Sequence, residues 1–270
     1  MRGHLKKMHS LLDSPVQYRL ILGDETVELN TLINTPLKLI HTKQIQCIHC
    51  KRSIKKTYNQ GYCYPCFISL AECDMCIVKP HLCHYAAGTC RNATWGDEFC
   101  NQHHIVYLAN SSHLKVGITR HSQIPTRWID QGANQALPIF KSRSRHIAGL
   151  IEIAISQHIS DKTHWQKMLK SDAETIDLIA YREQLVTLCQ QELCHINETH
   201  GNDAFELLSN DTIVEIRYPI EQYPTKIKAL DFDKSPEITG TLLGIKGQYL
   251  LLDSGVLNIR KYTGYEIELS

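Results

Sequence analysis

The chain has 270 residues, 43% of them hydrophobic, and 29 Lys and Arg offset 28 Asp and Glu for a formal net charge of +1. That length suits one large domain or two to three small ones. No stretch approaches ~18 consecutive apolar residues, and the opening MRGHLKKMHSLLDSPVQYRL has basic residues but no apolar core of signal-peptide length. The expectation is a soluble, cytoplasmic protein with no membrane contact. Eleven cysteines in a reducing compartment then point to metal rather than disulfides, since most come in C-x-x-C pairs. Charge is segregated: 109–145 holds six Lys or Arg against one acid, Asp130, whereas 171–211 is mostly acidic. The basic stretch suits an anionic partner.

The expected class is α+β, in five parts: an N-terminal β segment (1–45), a zinc-binding region (46–104), a small α/β unit (105–170), a long helix (171–200) and a C-terminal β-barrel (205–270). Within 16–42, VQYRLIL, ETVELN and PLKLIHT alternate aliphatic and polar residues between GD and NTP turns, which predicts a small antiparallel sheet. The region after it is poor in aliphatic runs and dense in Cys, His, Gly and Tyr, so metal must stand in for a core. Cys47, Cys50, Cys63 and Cys66 form two C-x-x-C knuckles. Four thiolates so spaced can surround a tetrahedral Zn²⁺ with no open position, which makes a structural site. The alternative is four buried free thiols in a segment with little else to bury.

Between the knuckles, Lys51, Arg52, Lys55 and Lys56 stand near Tyr58 without any acid. This is a finger able to meet phosphates or stack on bases, or else a solvated loop. The next block offers Cys73, Cys76, Cys83, His84, Cys90, Cys100, His103 and His104. The preferred second zinc set is Cys73, Cys76, Cys100 and His103, pairing C-x-x-C with C-x-x-H; Cys83, Cys90, His84 and His104 compete for places in it.

IVYLANSSHLKVGITR reads as two strands with a polar tip, and ALPIFK as a third. RWIDQGA supplies a short helix ended by an αL cap at Gly132, and IAGLIEIAISQHI a helix with apolar residues at helical spacing. DKTHWQKML predicts a further helix capped by Asp161 or Thr163, and SDAETIDLIAYREQLVTLCQQEL a long amphipathic one capped by Ser171 or Asp172. Cys189 and Cys194 on that helix are expected to face the core. From Thr212, TIVEIRYPI, EITGTLLGIKG, QYLLLDSG, VLNIRK and YEIEL predict a small barrel of SH3 or OB type.

VYLANSSHLKVGITR and RWIDQGA, with the TCR, WG and Cys pattern before them, resemble an uncharacterised bacterial family known as a domain of unknown function, over most of 73–169. A more distant similarity is to the GIY-YIG nuclease superfamily. There a first strand ends in G-I-Y, a second in Y-I-G, an Arg follows on the first helix and a Glu lies on a later one. Here Ile105, Val106 and Tyr107, then Lys115, Val116 and Gly117, then Arg127 and Glu152 hold those places in order. Ile105 departs from the first motif's Gly, Lys115 from the second motif's Tyr, and no counterpart stands out for the Asn that often follows the Glu.

The resemblance implies a phosphodiester-cleaving site dependent on Mg²⁺ or Mn²⁺, and the residue types suit that chemistry. Tyr107 would accept a proton from water if Lys115 lowers its phenol pKa. Arg127 would bind a nonbridging oxygen with its forked donors, and Glu152 would hold one hydrated cation. Gly117 would let a helix or phosphate approach closely. Each has a bland counterpart: a core tyrosine, a solvated edge lysine, an arginine stacked on Trp128, and a carboxylate paired with Arg145 or His146. Arg120, Arg145 and Lys246, the last in the loop GIKGQY beside Tyr249, would add nucleic-acid contacts. Three readings follow: a zinc-containing nucleic-acid-binding nuclease, a noncatalytic RNA-binding module, and a zinc-stabilised interaction scaffold. DNA against RNA and the oligomeric state stay open.

Overall fold

A computed structural model describes residues 1–160, 163–209 and 211–270. The N-terminal segment forms β1 (Arg2–His4), β2 (His9–Leu11), β3 (Gln17–Leu22), β4 (Glu25–Glu28) and β5 (Pro36–Ile45). The cysteine block carries α1 (Tyr64–Ser69) and α2 (Ala93–Phe99), joined by short 3-10 turns. Then come β6 (His104–Asn110), β7 (Leu114–Arg120), α3 (Thr126–Asp130), β8 (Gln135–Ser142) and α4 (Arg145–Ser156), in the order the sequence predicts. Next are α5 (Trp165–Met168), α6 (Leu178–Leu188), α7 (Gln190–His200), β9 (Phe205–Leu207) and β10 (Val214–Glu215). The chain ends in β11 (Glu237–Lys246), β12 (Tyr249–Leu252), β13 (Gly255–Asn258) and β14 (Tyr265–Leu269).

The fold is mixed α and β, with antiparallel sheets. The middle sheet runs β10-β8-β6-β7, with β9 also on β8. Every residue of β6 is buried, and its side chains alternate between two cores. Ile105, Tyr107 and Ala109 enter one with Trp128, Leu20, Leu252 and Ile267. Val106 and Leu108 enter the other with Ile147, Ala148, Ile151 and Ile155 of α4. Cover on both faces explains why HIVYLAN is a continuous apolar run rather than an alternating one. Ser144 caps α4 by accepting the N–H of Ile147 at 3.4 Å. Leu178, Leu185, Leu193 and Ile196 extend that cover from α6 and α7. β7 is the sheet's edge strand, meeting only Ser160 on its outer side among the described residues.

The terminal strands depart from expectation. β2, β3 and β4 form the N-terminal sheet, but β5 leaves it for a six-stranded sheet ordered β1-β14-β5-β11-β12-β13. Ile238 of β11 and Ile267 of β14 sit opposite Leu39 and His41 of β5. The two ends of the chain therefore share one sheet, and among the described residues no barrel of SH3 or OB type closes. TIVEIRYPI yields only β10, which pairs with β8 instead. An alternating pattern says which face is apolar but not which strand will pair with it.

The predicted long helix starts late and breaks. Asp172 is engaged by Lys246, Asn134 and Tyr223, so the cap passes to Asp177, which accepts N–H groups from Ile179 at 3.1 Å and Ala180 at 3.0 Å. Cys189 separates α6 from α7; it is buried, whereas Cys194 is exposed, contrary to expectation. Asp161, one expected cap of the helix before, lies outside the described residues, and Thr163 instead contacts Ser111 Oγ at 3.2 Å. Among the described residues no helix is long and apolar enough to cross a membrane.

Candidate metal centre and basic cleft

Cys47 and Cys50 follow the end of β5, while Cys63 stands at the N-terminus of α1 and Cys66 within it. All four sulfurs lie within 4.8 Å of one another, with Cys50 and Cys63 3.7 Å apart. Zn–S bonds of ~2.3 Å in a tetrahedron separate sulfurs by about 3.8 Å, so the cage is already near working size. Burial pushes the Cys47 thiol up, but hydrogen bonds from the backbone of Cys50, Cys63 and His49 outweigh it and bring it down to about 6. Cys66 goes the other way, pushed up to about 12 by burial and neighbouring thiols. Four thiolates cannot share this space without a cation, so the set can bind zinc. Among the described residues only the partly buried hydrophobics Ile54, Tyr62 and Leu70 pack on these cysteines, so a bound ion would stand in for a core.

The expected second set does not assemble. Cys76 and Cys100 lie near each other, but Cys73 takes a hydrogen bond from Asn59 and sits toward Cys47. His103 is drawn away because the next residue opens β6 opposite Ser142; its Nδ1 lies 3.3 Å from the Ser142 carbonyl.

A cavity of about 410 Å³ wraps the edge strand β7. Arg127 and Asp130 reach it from α3 with Gln131 just beyond, Arg145 and Glu152 from α4, and Gly117 to Arg120 from the strand. Tyr107 lies at its base, fully buried, and its hydroxyl donates to Gln131 Oε1 at 2.9 Å. The same oxygen accepts Lys115 Nζ at 2.6 Å. Register brings these groups together: Tyr107 opposes Gly117 and Ala109 opposes Lys115, so all four share one face. A Cβ on Gly117 would lie 2.7 Å from the Tyr107 hydroxyl. The space beside this glycine is therefore filled by the phenol, not by a helix or a phosphate. Arg127 and the Glu152 carboxylate both lie within electrostatic reach of the phenol. The four residues singled out in the sequence thus meet at one strand edge.

Among the described residues, Lys7, Arg120, Arg127, Arg145 and Arg260 line the cavity with two carboxylates, Asp130 and Glu152. Asp130 is paired with Lys7 and accepts Gln248 Nε2 at 2.9 Å. The Arg120 guanidinium lies 4.4 Å over the Phe99 ring, and burial together with Arg145 holds its pKa below the usual value. Burial and nearby Arg127 likewise lower Arg260, against the pull of Asp130. Such an excess of positive charge focuses field on an anion.

One electrostatic expectation is overturned. Burial raises the Tyr107 phenol above its usual pKa despite Arg127, and the Lys115 ammonium, on a residue only 2% exposed, donates to the same Gln131 oxygen as the hydroxyl. Lys115 is thus not a solvated edge charge.

Lys51, Arg52, Lys55 and Lys56 are exposed on the finger. Lys56 Nζ lies 5.4 Å from the Tyr58 ring centre, and Gln60 ties the finger to the cleft by accepting Arg260 Nε at 2.7 Å. Lys246 is different: it is fully buried, donating to Asn134 at 3.1 Å and Asp172 at 3.0 Å between the rings of Tyr218 and Tyr223. It braces the interior and is withheld from any ligand. Tyr249 stacks on Trp165 with rings 5.9 Å apart. Sequence reasoning misses Lys7, between β1 and β2, and Arg260, after β13. Both reach the cleft only through pairing of the chain's two ends, for which spacing carries no signal.

Residues 34–267 match the model of a family described as "Protein of unknown function (DUF2797)". The chain belongs to this family. The match covers the cysteine block, the cleft and the terminal sheet from β5 onward, and leaves Lys7 outside it. No curated protein and no solved structure matches the chain.

Proposed function

We propose that this is a zinc-stabilised nucleic-acid-binding protein whose cleft holds a phosphodiester and cleaves it in the manner of GIY-YIG nucleases. The observation that carries the reading is the meeting of Arg127 and Glu152 in a cavity with surplus cations at the edge of β7, with Tyr107 buried behind Gly117 and Gln131. The order of elements supports it: Tyr107 on the first strand, Gly117 on the second, Arg127 on the helix after them and Glu152 on a later helix. Arg127 would clamp a nonbridging oxygen, while Arg120, Arg145 and Arg260 would take flanking phosphates. Glu152, one carboxylate in an open polar cleft, fits a hydrated Mg²⁺ or Mn²⁺, which needs one or two carboxylates plus substrate oxygens. Such a cation would supply positive charge to the phosphate under attack. Tyr107, whose proton burial retains, would position Gln131 at the cleft wall by hydrogen bonding.

That same retained proton favours a second reading, a noncatalytic RNA- or DNA-binding module. Incubation with labelled single- and double-stranded DNA and RNA in Mg²⁺ separates the two. Scission that disappears in Glu152→Gln while binding persists supports the nuclease. Salt-sensitive binding without scission supports the module.

A further inference from the structure

We infer that a second zinc ion is held by Cys76, Cys83, Cys100 and His84. The first observation is that, among the described residues, the surrounding chain has no apolar core of its own. Among the described residues, none of 71–101 belongs to a hydrophobic cluster. Its buried residues are Ala71, Cys73, Cys76, Pro80, Gly96 and Cys100, half of them cysteines. Three 3-10 turns and one short helix cannot keep their places without a core or a cross-link.

The second observation is where the donors lie. Cys76 Sγ, a His84 ring nitrogen and an Asp74 oxygen are all within 4.8 Å of one another. A tetrahedral zinc separates its sulfur and imidazole nitrogen by about 3.6 Å, within easy adjustment of that distance. Asp74 is already engaged, by Arg91 Nε at 2.8 Å and the Cys76 N–H at 3.1 Å. His84 is poised instead. Its Nδ1 lies 2.8 Å from Thr89 Oγ1, which turns Nε2 toward the Asp74 and Cys76 side, 3.7 Å from the carboxylate. A hydroxyl holding the far ring nitrogen is the outer support that zinc-bound histidines commonly have.

Cys83 and Cys100 supply the remaining donors: each lies within electrostatic reach of the other and of Cys76. The other candidates point elsewhere. Cys90 donates to the Asn92 carbonyl at 3.3 Å and lies against Gly96, while Cys73 turns to Asn59 and His103 to Ser142. Three thiolates and one imidazole leave a zinc complex with one negative charge, and Arg145 stands beside all three cysteines to balance it. Arg145 also donates its N–H to the Cys100 carbonyl at 2.8 Å and Nη2 to the Ile77 carbonyl at 2.6 Å. The metal would therefore fix the Ile77 to Pro80 wall of the cleft and one of its arginines.

The test uses the full chain: metal analysis combined with mapping of N-ethylmaleimide labelling before and after chelation. Cys83 and Cys90 have similar intermediate exposure, so exposure alone would label them alike. We expect about two zincs per chain, Cys83 protected until the chelator is added, and Cys90 labelled throughout. Cys83→Ser and His84→Ala should each lose one zinc, whereas Cys73→Ser and His103→Ala keep both. Cys83 labelling as fast as Cys90 with zinc present overturns the assignment, as does loss of a zinc from Cys73→Ser or His103→Ala. Should Cys83→Ser fail to fold, the labelling of the unaltered protein decides.

Discussion

Replacing Gly117 by Ala sets a methyl group where the phenol of Tyr107 now lies, 2.7 Å from its hydroxyl, 2.8 Å from Cζ and 3.3 Å from Cε2. Carbon atoms need ~3.5 Å or more, so the ring must retreat by nearly an ångström. It has nowhere to go: Tyr107 and Trp128 are both buried, edge to face with ring centres 5.9 Å apart. Overpacking a filled core costs about 1–3 kcal/mol, and drawing the hydroxyl off Gln131 costs about 1–3 more. Because one displacement causes both, the total should be about 2–4 kcal/mol. Urea denaturation reads it as a midpoint lowered by about 1 M for a slope near 3 kcal/mol/M. In a Tyr107→Leu background, the same alanine should cost under about 0.5 kcal/mol, since the obstructing ring is gone. An equal cost in both backgrounds, or none in the unaltered protein, refutes the claim that Gly117 exists to admit the phenol.

His104 is fully buried, and burial, reinforced by Arg145 and Arg120, lowers its pKa to about 4. The unfolded chain takes up a proton near pH 6.5 that the folded one refuses, so stability falls by about 3 kcal/mol from pH 6.5 to 4. His104→Gln should flatten that part of the urea-midpoint profile, and an unchanged profile contradicts the burial argument. Lys246→Met should lower stability by about 1–3 kcal/mol, because Asn134 and Tyr223 lose a partner while Asp172, with 61% of its side chain exposed, can resolvate. Its nucleic-acid affinity should not change; a loss would put the ammonium in the binding surface. Chelation should make 46–104 the first target of limited proteolysis while β6 to α4 resists, and uniform cleavage would mean the metal supports the whole fold.

The middle of the molecule was legible because its rules are local. The run through Ile105 to Ala109, the helical spacing around Ile151 and the knuckles at Cys47 and Cys63 each encode their own geometry. The meeting of Tyr107, Lys115 and Gly117 was half legible, since antiparallel register follows from a short hairpin. The sense of its electrostatics was not, because burial decided the phenol's proton and only packing reveals burial. Strand partners of β5, the reach of Lys7 and Arg260 into the cleft, and the tie of Lys246 to Asn134 all depend on segments more than a hundred residues apart. The helix expected from Ser171 failed for a related reason, since Asp172 had a stronger partner in Lys246 than in its own backbone.

The most direct measurement is binding and scission of one labelled oligonucleotide by the unaltered protein, Glu152→Gln and Arg127→Ala, in Mg²⁺ across 50 to 200 mM salt. If the cleft engages three phosphates, affinity should fall about 40-fold over that range, a slope near −2.7. Glu152→Gln should keep that slope and lose scission, while Arg127→Ala should weaken binding and flatten the slope by about one. Scission untouched by Glu152→Gln, or no salt-dependent binding at all, would contradict a phosphodiester in this cleft.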